Sequence, residues 1–200
     1  MRLLLTYRFL IATIASIVTF ASHTQAAPNP TPLMTVSVRG PFILKHQEHL
    51  YCDSTYSLAE CRRQIETLQR ALEPYPLGLL PNWKWVLVRA DRWMSLTSSL
   101  HMDHDSPAVT LLDDETILLE ESLISPHAAR AAELMHAFKI DLNDLLDVAI
   151  AHELGHAICR EKNEFKAESI GREMRRQIAA GDPVNVGCVQ PMISNAHEGR

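Results

Sequence analysis

Residues 141–171 read DLNDLLDVAIAHELGHAICREKNEFKAESIG, and the reading of this stretch decides the fold. Leu142, Leu145, Leu146, Ala149 and Ile150 recur at three- and four-residue spacing. That places them on one side of an α-helix with an apolar side to bury. Asp141 is a helix-capping residue type, so the helix is expected from Leu142 to about Arg160. Asn163 offers a second cap, for a helix from Glu164 to about Ala179, and Gly181 stands just past its end. The stretch therefore predicts two consecutive helices joined by a short turn.

The polar residues on these helices carry chemistry. His152 and His156 are four apart, so they share a helix face and can present two imidazoles to one metal ion. Glu153 lies one residue round the helix, close enough to reach a water held by that ion without being a ligand, which is why H-E-x-x-H is a mechanistic motif. Gly155 has no side chain, so another element can approach closely there. On the second helix Glu164 and Glu168 share a face, and Ala167 and Gly171 on or beside it keep it narrow. In a symmetric hairpin turning near Lys162, Glu168 would lie opposite His156 and Glu164 nearer the turn, so the residues alone leave both glutamates open. Acidic residues also suit the first turn of any helix. Cys159, three residues past His156, faces roughly the same side and is either a thiolate donor or half of a disulfide.

The segment AHELGHAICREKNEFKA, 151–167, resembles the zincin-like metallopeptidases of the gluzincin type. In these, two His of HExxH and a Glu from a following helix hold zinc. The continuation Glu164-Phe165-Lys166-Ala167-Glu168 is similar to their E-x-x-A-[D/N] segment, and ImmA/IrrE-like and stress-response membrane peptidases carry related versions. The chain departs from the pattern twice. Glu168 stands where many relatives have Asp or Asn, and only seven residues separate His156 from Glu164. The resemblance implies one Zn2+ on His152, His156 and Glu164, with Glu153 as general base. Glu168 is implied either as a hydrogen-bond acceptor for a ligand imidazole or as the alternative third ligand. It further implies a zincin-like α+β fold and hydrolysis of a peptide or protein substrate. The rival reading is a non-catalytic zinc-binding or interaction protein of the same fold. A second oxyanion donor is expected, with His127, His136 and Arg172 as candidates.

Outward from this core, the patterns are shorter. Met34–Val38 is strand-like. From Ser57 to about Leu72 the apolar positions recur at helical spacing, and Pro74 and Pro76 end the run. Trp83–Val88 reads as a strand and Asp91–Leu100 as a short helix. Ala108–Leu123 reads as two short strands or one interrupted edge strand, with Asp113, Asp114 and Glu115 as a solvated turn. His127–Phe138 is rich in Ala and Leu and opens the helical half. His101, His104, His127, His136 and His197 lack ligand spacing. The expected architecture is α+β: a small N-terminal β and edge-strand region packed on a helical C-terminal half.

Composition sets the compartment and the partners. The 200 residues are 46% hydrophobic and 22% charged, which suits one domain with a real core, expected over 27–200. A net charge of -5 and the absence of a basic run exclude a broad nucleic-acid footprint. Arg2 and Arg8 precede an apolar run, Phe9–Ala21, and Thr24-Gln25-Ala26 supplies small residues for cleavage. Residues 1–26 thus read as a signal peptide, and the mature protein as exported, periplasmic or extracellular, with no stable membrane insertion. Cys52, Cys61, Cys159 and Cys188 make an even set, which fits disulfides in an oxidising compartment. Cys52 with Cys61 and Cys159 with Cys188 is the most local of three pairings, and the spacing does not choose among them.

Overall fold

Short runs rich in branched and aromatic residues build one mixed sheet. In the computed structural model, which describes residues 38–43, 49–103 and 105–188, its strands are β1 (Val38–Ile43), β2 (His49–Asp53), β3 (Lys84–Val88), β4 (Ala108–Leu111) and β5 (Thr116–Glu120). The order is β1-β2-β3-β5-β4, with β2, β3 and β5 parallel and the two outer pairs antiparallel. Leu50, Cys52, Trp85, Leu87, Ile117 and Leu119 point into the main core. Val86, Val88 and Leu118 point the other way, into a smaller cluster around Trp93. Both faces are buried, as the parallel strands of such a sheet require.

Helices α1 (Leu58–Leu72) and α2 (Ala90–Ser99) connect the strands. Ser57 starts α1 through a reciprocal box with Glu60, in which each backbone N–H donates to the other side chain. Cys61, Ile65, Leu68 and Leu72 of α1 then cover the main core. α2 covers the opposite face with Trp93, whose indole N–H donates to the Ser106 carbonyl at 2.9 Å.

The helical half comprises α3 (Ala131–Phe138), α4 (Leu142–Cys159) and α5 (Glu164–Ala180). Asp141 and Asn163 cap α4 and α5 as their chemistry dictates, and Gly181 closes α5 at φ 72°. Leu145, Leu146, Ala149 and Ile150 bury the expected side of α4, and Ala151, Leu154 and Ala157 bury much of the rest. α5 crosses α4 with almost nothing between the backbones. A Cβ on Gly171 would lie 2.6 Å from the Ala151 carbonyl oxygen, and one on Gly155 would fall still closer to that of Ala167. Farther along the crossing, Asp147 accepts from the Tyr75 hydroxyl and pairs with Arg175, both at 2.5 Å. It thereby ties α4 to α5 and to the loop after α1.

The structure selects the local disulfides, Cys52–Cys61 and Cys159–Cys188. Cys159 is thereby removed as a metal donor. The α+β class stands, but the sheet is larger than a small edge region. His49–Asp53 is a strand with no strong signal of its own, and α1 and α2 are built into the sheet's connections. Ala108–Leu119 divides into an outer strand and an interior one, so within this stretch β4 is the edge and β5 is not. α3 starts at Ala131, later than His127. The leader expected at 1–26, the first part of the strand expected at 34–38, His104 and His197 lie outside the described residues.

Gly171→Ala tests the crossing. Overpacking against a backbone carbonyl costs about 1–3 kcal/mol, more than the roughly 1 kcal/mol that alanine's helix propensity returns. Urea unfolding should show a clear net loss of stability for Gly171→Ala and none for Ser169→Ala, on the exposed side of the same helix.

Candidate metal centre

The cap at Asp141 and the buried side of α4 fix the rotation of that helix, and the close crossing fixes where α5 begins. Together they bring His152, His156 and Glu164 together, with one donor atom from each lying within 4.8 Å of the others. Glu164 Oε2 lies 3.0 Å from His152 Nε2 and 3.3 Å from His156 Nε2, and the two Nε2 atoms are 3.1 Å apart.

The outer ring nitrogens set the protonation of the inner ones. His156 Nδ1 faces the Glu161 carbonyl oxygen at 2.6 Å, so it must donate, and in the neutral ring Nε2 is then the nitrogen with the lone pair. His152 Nδ1 faces Glu168 Oε2 at 3.2 Å, which imposes the same tautomer. With both rings neutral, two imidazole lone pairs and a carboxylate converge on one point. That is an arrangement of ligands for a cation, with its outer partners already in place. The site can hold a metal ion, and His152, His156 and Glu164 are the residues that would hold it. The Glu164 side chain remains 73% exposed, so the cluster is open on one side.

Structure separates the two glutamates that the residue pattern left open. Glu164 faces both inner nitrogens. Glu168 sits on the outer nitrogen of His152 and pairs with Arg172 at 3.4 Å. Arg172 is therefore engaged in that pair and is not among the described residues lining the cleft, nor are His127 and His136.

Glu153 lies beside the cluster, only 4% exposed. Burial pushes its carboxyl above the ordinary carboxylate range, and the Thr110 hydroxyl partly offsets this by hydrogen bonding the ionised form. The open side of the cluster faces a cleft of about 420 Å³. Pro107, Ala108, Phe138, Leu145 and Val148 line it together with His152, Glu153, Glu164 and Glu168.

Two contributors went unnoticed in the sequence. Thr110 is a polar residue at an inward position of an alternating strand, and that anomaly was the available signal. Glu161 acts through its backbone carbonyl, which leaves no mark on residue type.

Glu164→Ala should abolish stoichiometric metal binding, whereas Glu168→Ala should retain the metal with an affinity lower by about 10–100-fold. Metal content after dialysis, by elemental analysis, distinguishes the two; equal loss from both would refute the division of roles. No protein-family model matches the chain, and no curated protein or solved structure is significantly similar to it.

Proposed function

We propose that this chain is an exported zinc metallopeptidase of the gluzincin type, with a zincin-like fold. The observation that carries the proposal is the convergence of two imidazole lone pairs and a carboxylate next to a buried fourth group, Glu153. Two imidazoles and one carboxylate with an open side match the ligand set of catalytic rather than structural zinc sites. A protein that merely held zinc would have no need of a buried carboxylate beside it.

When bound, zinc would supply a Lewis acid and lower the pKa of a coordinated water. The chain's own part is proton traffic and placement. Glu153 accepts a proton from the attacking water as the water oxygen bonds to the scissile carbonyl carbon. As the carbon–nitrogen bond breaks, Glu153 delivers that proton to the leaving nitrogen. Burial suits it to the first half, because a raised pKa strengthens the carboxylate as the base that takes the water's proton. β4 closes one side of the sheet order, so an extended substrate can add alongside it through backbone hydrogen bonds. Phe138, Leu145 and Val148 then offer apolar lining for a substrate side chain.

Two disulfides fit an oxidising compartment. No helix among the described residues is long and apolar enough to cross a membrane. The disulfides agree with export behind the leader read at residues 1–26.

The purified mature protein should carry one zinc and digest casein or a peptide library, and a chelator should stop the digestion. Glu153→Gln should keep the zinc and lose at least about 100-fold in kcat, the scale of a general base. Zinc-loaded wild type without hydrolysis would instead establish a binding module.

A further inference from the structure

β4 presents alternate residues to the two sides of the sheet. Ala108 belongs to the main core that contains α4, and Val109 packs in the cluster around Trp93. Thr110, next on the inward side, is where the polar residue stands. Its backbone is held by the pairing of β4 with β5, in which Thr110 sits opposite Ile117. Its hydroxyl reaches across to α4, 2.5 Å from Glu153 Oε2 and 3.2 Å from the Glu153 backbone oxygen. A hydroxyl has one proton to donate, and the carboxylate is both the nearer and the stronger acceptor.

We propose that Thr110 is a positioning residue for Glu153, fixing one carboxylate oxygen so that the other is presented to the reacting water. The inference rests on the hydrolytic reading above. Without that bond the buried carboxylate would lose a fixed rotamer and its hydrogen-bonding partner together. The strand that would receive substrate is thereby the strand that aims the base, so the backbone of β4 sets the distance between substrate and proton acceptor. Valine at this position keeps the shape of threonine and removes the donor; serine keeps the donor and removes a methyl group.

The test uses the mature protein with its zinc and, separately, the metal-free protein. Thr110→Val should retain one zinc and a KM within about twofold of wild type while kcat falls about 10–100-fold, and Thr110→Ser should recover most of the loss. In the metal-free protein, Thr110→Val should lower Tm by about 2–4 °C, as expected when a buried carboxylate loses a donor. The same substitution in a Glu153→Leu background should cost nothing, because no carboxylate is left to hold. Thr110→Val with wild-type kcat would overturn the positioning role and leave the hydrolytic reading intact. Additive Tm shifts, or loss of zinc and a rise in KM alongside kcat, would also overturn it by showing a structural role. A wild type that hydrolyses nothing would bring down the hydrolytic reading and this inference with it.

Discussion

Two helix backbones can lie as close as α4 and α5 do only where side chains are missing at the points of contact. Gly155 against Ala167 and Gly171 against Ala151 meet that condition twice, at positions four residues apart on each helix. The same crossing lays the first turn of α5 against the histidine-bearing face of α4, with Glu164 Oε2 3.0 Å from His152 Nε2 and 3.3 Å from His156 Nε2. The crossing therefore sets the reach of Glu164 before any metal is considered. The Asp147–Arg175 pair and the disulfide at the end of α4 hold the helices in the same relation.

Around that crossing the polar groups divide into an inner and an outer set. With both rings neutral the inner set is all acceptors, an imbalance that a bound cation would relieve. The outer set, the Glu161 carbonyl and the Glu168 carboxylate, absorbs the ring protons and so prevents the two histidines from relieving the imbalance by exchanging tautomers. Local cost at a preorganised site is where protein sequences most often depart from what stability alone would select. Buried Glu153 is a second departure of the same kind, with its desolvation only partly offset by Thr110.

The parts legible in the sequence are those whose chemistry is local. Asp141, Asn163 and Gly181 mark helix ends through hydrogen bonds within a turn, and each boundary lies where its residue type requires. His152, Glu153 and His156 are legible for the same reason, being one turn of one helix. Non-local pairing is what hides the rest. His49–Asp53 becomes a strand by pairing with Lys84–Leu87, far along the chain, and its own five residues carry little signal. The split of 108–119 into an edge and an interior strand follows from β5 pairing with β3, which no local pattern reveals. Thr110 and Glu153 are 43 positions apart, so their contact was beyond any spacing rule. The choice between Glu164 and Glu168 depended on how two helices cross, and that angle is a tertiary property.

The two disulfides join neighbours in sequence and neither encloses the other, with separations of 9 and 29 residues. A chain emerging N-terminus first presents Cys52 and Cys61 together long before Cys159 appears. The first pair can close while no competing thiol exists, and the second then has only itself to find. The native connectivity is therefore the one that follows the order of the thiols along the chain.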